Sequence, residues 1–291
     1  MAKVDNKIIY GKKYADQWKN LQVPLVMSQG EIDIYRKFIL KYLSSSKSAS
    51  PKALPKKALL LGATPELRDL LFELGFEVTL VDINPEMVAA MDMLVKKSKN
   101  KERKIIGDWL RMHEDILAEE KFDLILGDHI FNHLPFSEFE KMLKITSLLL
   151  KPEGMFLTNV IVKIEKDVNA ENVFAKLKNK LGLLSDMKNK ILWIYAVVTN
   201  DPNIFNPTSK SADFAAFNKA LKKMHKEKKI TDEEFNAFYL KETGETEMYF
   251  TFPTDDEFRR NAITFFEISE TDIAKGHEVF KHHRIYAMRL S

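Results

Sequence analysis

The stretch ALLLGATPELRDLLFELGFEVTLVD, from Ala58 to Asp82, decides the predicted fold. It begins with a wholly apolar run that lacks polar alternation, as expected for a central parallel strand covered on both faces. Gly62 then permits a sharp turn, and Pro65 suits the first turn of the helix that follows. A second strand ends at Asp82, about 20 residues after the glycine, where a carboxylate can bind both hydroxyls of a ribose. Alone, the glycine indicates a turn and the aspartate a helix cap, but their ordered combination predicts a nucleotide site on a doubly wound α/β fold.

Strands and helices continue to alternate after Asp82, which predicts parallel pairing through right-handed crossovers. We expect a Rossmann-like, mostly parallel sheet of seven strands. Its last two strands are predicted near 263–268 and 283–290, and the final one could pair antiparallel at the sheet edge. Ligands of such sheets bind outside the carboxyl ends of the strands, and Gly62, Asp82, Asp108 and Asp128 are all predicted at that edge.

The chain divides into three predicted parts. Residues 1–50 form an N-terminal helical cap, in which Ser28 to Glu31 has the form of a capping box. Residues 51–162 and 251–291 form the Rossmann-like core. Residues 163–250 form a mainly helical insertion that caps the substrate, because apolar residues recur there at helical spacing.

Composition excludes several function classes. The 291 residues contain no cysteine, which removes disulfides, thiolate metal sites and cysteine nucleophiles. The charge balance, 45 Lys and Arg against 42 Asp and Glu, does not predict nucleic-acid binding. Since no apolar run is long enough for a signal peptide or a membrane span, we expect a cytoplasmic protein without a membrane partner. The insertion carries a lysine run that we interpret as a solvated helix face, because interleaved arginines and aromatics are missing; it comprises Lys219, Lys222, Lys223, Lys226, Lys228 and Lys229.

Five stretches in order carry a family resemblance: LLLGATPELRDLL, VTLVDINPEMV, IIGDW, FDLILGDHIFNHLP and LLLKPEGMFLTNV. This order resembles the motifs of class I S-adenosylmethionine-dependent methyltransferases, over about Lys57 to Val162 plus the closing strands. The first motif differs from the common G-x-G-x-G, since Thr64 and Glu66 fill the other two glycine positions. It is similar to the L-G-x-T-P-E form of that turn.

The resemblance implies S-adenosylmethionine as the cofactor and assigns nine residues to it. They are Gly62, Ala63 and Thr64 for the methionine moiety, Asp82 for the ribose, Ile83, Asp108 and Trp109 for the adenine, and Gly127 and Asp128 for the sulfonium and the substrate. An indole offers a flat apolar face to a base, and a carboxylate suits an amino donor.

Methyl transfer is an in-line displacement that needs alignment and a deprotonated nucleophile. The candidate bases are Asp128, His129 and His133, although a structural role is the alternative for either histidine. Their spacing of four would also suit a metal pair on one helical face, but no third ligand is apparent and Pro135 predicts a loop, so we expect no metal.

We expect a small-molecule acceptor. The fourth strand lacks the Asn/Asp-Pro-Pro-aromatic motif, which argues against nucleic-acid bases as substrates. We expect the insertion and an aromatic group, Tyr10, Tyr14 and Trp18, to determine which substrate binds. These three rings could pack on the core or cover the ligand cleft.

Three other functions stay open. An NAD(P)-dependent oxidoreductase would use the same acid, but the absence of G-x-G-x-x-G and the presence of Asp108-Trp109 speak against it. A non-catalytic cofactor-binding protein is excluded by no sequence feature. An RNA or protein methyltransferase would use the lysine-rich insertion and show strong salt dependence.

Overall fold

The computed structural model describes residues 21–45, 55–97, 102–114, 117–164, 186–239 and 249–291. The predicted aromatic group Tyr10, Tyr14 and Trp18 lies outside these residues, as does the apolar stripe predicted at 173–184. Among the described residues, no helix is both long and apolar enough to cross a bilayer.

The described strands number ten. They are β1 (Lys57–Leu61), β2 (Glu77–Asp82), β3 (Glu102–Ile106), β4 (Phe122–Asp128), β5 (Leu150–Ile161), β6 (Phe205–Asn206), β7 (Ser211–Asp213), β8 (Tyr249–Thr251), β9 (Phe266–Asp272) and β10 (His283–Leu290). The described α-helices are α1 (Gln29–Ser45), α2 (Pro65–Glu73), α3 (Pro85–Asp92), α4 (Phe139–Leu149), α5 (Met187–Asn200), α6 (Phe214–Lys226), α7 (Asp232–Phe238) and α8 (Asp255–Ala262).

Seven strands form one sheet in the order β3-β2-β1-β4-β5-β10-β9, which confirms the predicted Rossmann-like fold. The strands from β3 to β5 pair in parallel, whereas β10 pairs antiparallel with both of its neighbours. The final strand is therefore antiparallel, as the sequence allowed, but it lies inside the sheet and β9 takes the edge. The strand expected at 263–268 begins only at Phe266, because a capping box at Thr254 starts α8, which continues to Ala262.

Alternate residues of the central strands face two apolar layers. Leu60 of β1 packs with α1, α2 and the insertion, whereas Leu59 and Leu61 pack on the opposite side with α4 and α8. All three leucines are fully buried. This confirms that β1 is covered on both faces, as its unbroken apolar sequence predicted.

Helix α1 begins with the predicted capping box. The backbone N–H and the hydroxyl of Ser28 both donate to Glu31 Oε2 at 2.8 Å, and the Glu31 N–H donates to Ser28 Oγ at 3.2 Å. Both residues are buried. The Oε1 atom of Glu31 takes no part in this cap and is free to bind other groups.

The described part of the insertion contains α5 to α7 and a small antiparallel sheet, β6-β7-β8, which the helical pattern did not predict. The buried Trp193 of α5 belongs to the same apolar cluster as Leu60 of the main sheet. The predicted lysine-rich face of α6 is exposed to solvent.

Asn132 bonds the turn after β4 to β5 and to β8, the last strand of the small sheet. Its fully buried side chain donates from Nδ2 to the carbonyls of Ile161 at 2.8 Å and Thr251 at 2.7 Å, and its Oδ1 accepts from the Ile161 N–H at 2.9 Å. The turn after β4 is thereby bonded to the end of β5 and to β8.

Candidate functional site

The indole of Trp109 lies next to the glycine turn that follows β1. Gly62 has a φ of +92°, which an L side chain rarely adopts, and its N–H donates to the Val81 carbonyl at 2.9 Å. Trp109 donates from Nε1 to the same carbonyl at 2.8 Å. A Cβ atom added to Gly62 would lie 3.8 Å from Trp109 Cζ2. Two predicted cofactor residues that are distant in the sequence are therefore neighbours.

Asp82 ends β2 beside this turn with its carboxylate almost buried. Its Oδ1 accepts from the Asn84 N–H at 2.8 Å, and the Ala63 N–H also bonds the side chain. Burial raises the pKa of Asp82 to about 6, although the two backbone bonds oppose the shift. Ala63 thus lies against Asp82, and the half-buried Ile83 follows directly.

The predicted adenine residues continue along the same edge of the sheet. The Gly107 N–H donates to the Asp82 carbonyl at 3.0 Å, which places the segment after β3 next to the end of β2. Asp108 is exposed, and its Oδ1 accepts from the Leu110 N–H at 2.9 Å. Thr64 is half-buried at the start of α2 and makes no side-chain capping bond. The contacts of these residues with a cofactor stay predictions.

Gly127 and Asp128 end β4 beneath helix α1. The Tyr35 hydroxyl of α1 donates to the Gly127 carbonyl at 2.8 Å. A Cβ atom at Gly127 would come within 2.8 Å of the Ile130 side chain, so only glycine fits without a shift. The Asp128 carboxylate accepts from Asn159 Nδ2 at 3.2 Å. Burial, and next the charge of Glu31, raises the pKa of Asp128 well above its usual range.

A group of three ionisable side chains lies next to Asp128. Glu31 Oε1 lies 2.9 Å from His283 Nδ1 and accepts from Asn159 Nδ2 at 3.1 Å. His129 has a φ of +54°, and its backbone N–H donates to the Asn159 carbonyl at 3.0 Å. The two imidazole rings are almost perpendicular, with their centroids 5.0 Å apart. One potential ligand atom from each of Glu31, His129 and His283 lies within 4.8 Å of the others.

The three side chains are largely shielded from solvent. The exposed fractions are 2% for Glu31, 18% for His129 and 0% for His283. Burial by itself raises the pKa of Glu31, but the hydrogen bond and charge of His283 outweigh it and lower that pKa to about 2. Burial lowers the pKa of His129 to about 3, so its imidazole is neutral at pH 7.

His133 lies outside this group. The chain from Ile130 to His133 is a 3-10 helix, in which residues three apart align, so His129 and His133 do not share a face as the sequence suggested. His133 is exposed, and its ring centroid lies 4.5 Å from that of Phe250. A catalytic role for His133 stays a prediction.

Sequence reasoning missed Glu66, Asn159 and His283 as site residues and treated Glu31 only as a helix cap. Glu66 Oε2 is buried without a hydrogen-bond partner among the described residues, and burial raises the pKa of this group. Its charge also raises the pKa of Asp128, which places it on the same side of the site. One signal was available in the sequence: Asn159 interrupts an apolar strand with a buried polar side chain.

Residues 63–206 match the model of a family described as a methyltransferase domain. The chain carries a methyltransferase domain. The match begins at Ala63 within the first predicted motif, covers the other four motifs and extends into the insertion. A comparison with curated protein sequences finds no match.

Solved structures resemble the whole methyltransferase chain in fold. The CcbJ methyltransferase from Streptomyces caelestis is 13% identical, with a TM-score of 0.59 over 99% of this chain and 100% of that one. The N-methyltransferase NodS from Bradyrhizobium japonicum, crystallised with S-adenosylhomocysteine, is 11% identical, with a TM-score of 0.53 over 98% and 99%. A Rhodobacter sphaeroides protein, provisionally described as a Zn-dependent alcohol dehydrogenase, is 14% identical, with a TM-score of 0.59 over 100% of both chains. At such identities the likeness shows the fold alone.

Proposed function

We propose that the methyltransferase transfers a methyl group to a small-molecule acceptor that binds beside Asp128 and His129. The observation that carries this proposal is the burial of the acceptor side. The Asp128 and His129 side chains are 13% and 18% exposed, and Tyr35 of α1 beside them is fully buried. A flexible small molecule can enter such a site, whereas the surface of a folded macromolecule cannot approach it closely.

The methyl donor is S-adenosylmethionine. The ribose hydroxyls bind the Asp82 carboxylate, the adenine lies near Trp109, and the glycine turn accommodates the methionine moiety. The contact between Gly62 and Trp109 and the position of Asp82 at the adjacent strand end support this placement.

The acidic groups near the turn favour binding of the positively charged methyl donor over binding of its neutral thioether product. Glu31, whose pKa is lowered, lies close to Asp128, and the charges of Glu31 and Glu66 both act on Asp128 and raise its pKa. A sulfonium ion is attracted to such a site, because opposite charges interact strongly where water is excluded. In the reaction the sulfur–methyl bond breaks, the acceptor–methyl bond forms, the sulfur leaves as a neutral thioether, and the proton of the acceptor is released to solvent.

Calorimetric titration with S-adenosylhomocysteine and with NADH tests the cofactor assignment. We expect only the first to bind, and Asp82→Ala to weaken it by about 10-fold to 100-fold through loss of charge-assisted hydrogen bonds. The control is Asp232→Ala, since Asp232 is 92% exposed in the insertion. Binding of NADH alone, or unchanged affinity in Asp82→Ala, would contradict the assignment.

The acceptor class needs a separate experiment. A cell extract is separated by ultrafiltration into small molecules and retained macromolecules, and each fraction is incubated with the enzyme and methyl-labelled S-adenosylmethionine. We expect label in the small-molecule fraction. Label confined to retained protein or RNA would refute a small-molecule acceptor and leave the cofactor assignment intact.

A further inference from the structure

We infer that Glu31, His129 and His283 form a binding site for a divalent transition metal such as Zn²⁺, placed where the metal can bind the methyl acceptor. This inference rests on the proposed function for the role of the metal but not for its binding. It replaces the sequence-based expectation of no metal, which relied on His129 and His133 and lacked a third ligand.

The donor set matches this class of metal. Two imidazoles and one carboxylate bind Zn²⁺ in catalytic sites, where a fourth position stays open for water or substrate. Imidazole ligands disfavour Mg²⁺ and Ca²⁺, which prefer oxygen donors.

The geometry also fits. Ligands of one zinc ion lie about 3 to 3.5 Å apart, since each bond is about 2.0 to 2.1 Å long. The pair Glu31 Oε1 and His283 Nδ1 is already at 2.9 Å, and all three ligand atoms lie within 4.8 Å. On metal binding, the separations that involve His129 would have to shorten into that range, and the metal would displace the proton shared by Glu31 Oε1 and His283 Nδ1.

Orphaned polar atoms in this group support a missing ligand. Nε2 of His129, Nε2 of His283 and Oδ1 of Asn159 are buried without a hydrogen-bond partner among the described residues. Buried nitrogen and oxygen atoms are normally satisfied, because leaving one unpaired costs about 1–3 kcal/mol. Nε2 of His129 can meet this need by binding a cation.

A supporting shell holds the ligands in place. Asn159 donates to Glu31 Oε1 at 3.1 Å, and the capping box fixes Glu31 Oε2 at the start of α1. The Asn159 carbonyl holds the His129 backbone at 3.0 Å. Hydrogen bonds to ligand side chains of this kind orient a metal site.

The position suggests what the metal does. His129 directly follows Asp128, which borders the sulfonium in the proposed function, so a metal held by His129 would lie near the transferred methyl group. A hydroxyl of the acceptor bound there would lose its proton more readily, because a divalent cation lowers the pKa of a bound oxygen. A metal at this position would favour an acceptor that carries a metal-binding oxygen, such as a hydroxylated compound.

Metal binding is measured directly on the chelator-treated full-length protein. We titrate it with Zn²⁺ by calorimetry and with Co²⁺ by visible absorption, which reports coordination by nitrogen and oxygen ligands. Wild type should bind one equivalent. Glu31→Gln, His129→Gln and His283→Gln should each weaken binding by at least about 10-fold to 100-fold.

Matched variants distinguish the loss of a metal-binding side chain from misfolding of the protein. Glu31→Gln keeps the helix cap, since glutamine also completes a capping box. His133→Gln and His225→Gln remove histidines outside the group and should bind metal like wild type. If His283→Gln fails to fold, the partly exposed His129 decides the matter through its variant.

The inference is overturned if wild type binds neither ion, or if His129→Gln binds as tightly as wild type. Titration with S-adenosylhomocysteine runs in parallel on the same samples. Retained binding of this ligand with no metal binding defeats the metal site alone, whereas lost binding in wild type defeats the proposed function.

Discussion

Glu31 and His283 are 252 residues apart in the sequence, yet Glu31 Oε1 and His283 Nδ1 lie 2.9 Å apart, and both side chains are buried. This contact joins α1 to the first residue of β10 across the carboxyl edge of the sheet. Removing His283 takes one hydrogen bond from the buried Glu31 carboxylate, which keeps those from Ser28 and Asn159, and a hydrogen bond to a charged group contributes about 1.5–3 kcal/mol.

We therefore expect His283→Ala to lower the free energy of unfolding of the metal-free protein by about 2 kcal/mol, measured by urea denaturation. Glu31→Ala should cost about 1 kcal/mol more than Glu31→Gln, because alanine also removes the bonds that the Glu31 side chain makes back to Ser28 in the capping box. Equal stability of Glu31→Ala and Glu31→Gln would show that the cap contributes nothing.

Affinity for S-adenosylhomocysteine should depend on the ionisation of Asp82. Its pKa in the folded protein is raised to about 6, and only the carboxylate accepts hydrogen bonds from both ribose hydroxyls. Affinity should rise as the pH increases from 5 to 7 and then level off, as measured by calorimetry. Asp82→Asn should flatten this step, and a step of unchanged size in that variant would assign it to another group.

The same carboxyl group should make apo-protein stability pH-dependent in the opposite direction. The folded-state pKa of about 6 exceeds the unfolded value of about 3.9, so the folded state binds the proton more tightly between these values. This group's contribution to stability is present below pH 4 and is lost as the pH rises through 6, by at most about 3 kcal/mol. The free-energy difference between Asp82→Asn and wild type should shift in favour of the variant over that interval.

Gly62→Ala should lower both stability and cofactor affinity. The alanine is strained at a φ of +92°, with an expected loss of about 1–2 kcal/mol in unfolding free energy. Gly75→Ala is the control, because Gly75 has a φ of +79° with open space around it and lies away from the site. Gly75→Ala should lower the free energy of unfolding but leave the affinity for S-adenosylhomocysteine unchanged. A comparable loss of affinity in Gly75→Ala would mean that backbone strain, and not the location of Gly62 in the site, weakens binding.

Trp109 should report cofactor binding by fluorescence. Trp109→Phe should weaken S-adenosylhomocysteine binding by several-fold, since aromatic stacking contributes about 0.5–1.5 kcal/mol, and should abolish the ligand-induced change in emission. Trp193→Phe changes a fully buried indole in the insertion and should preserve both. Persistence of the emission change in Trp109→Phe would place the cofactor elsewhere.

The sequence predicted the sheet and one side of the site because both depend on local pattern. An apolar strand, a glycine turn and an acid at the next strand end lie within Ala58 to Asp82, and parallel pairing then brings strand ends together. The acceptor side depends instead on contacts between distant segments. Glu31 looked like a helix cap and His283 like the start of an edge strand, and nothing in either local sequence indicates that they meet.

Asn132 should couple the opening of β5 to the opening of β8. Its buried amide bonds Ile161 and Thr251 together, and Thr251 Oγ1 also donates to the Leu134 carbonyl at 2.6 Å. Separating β8 from the turn after β4 would leave the Asn132 amide and the Thr251 hydroxyl without their partners in apolar surroundings. The Ile161 amide, which donates to Asn132 Oδ1, should therefore exchange its hydrogen for deuterium slowly, because its exposure requires the turn after β4 to detach from β5. Asn132→Ala should make that exchange faster without unfolding the whole protein.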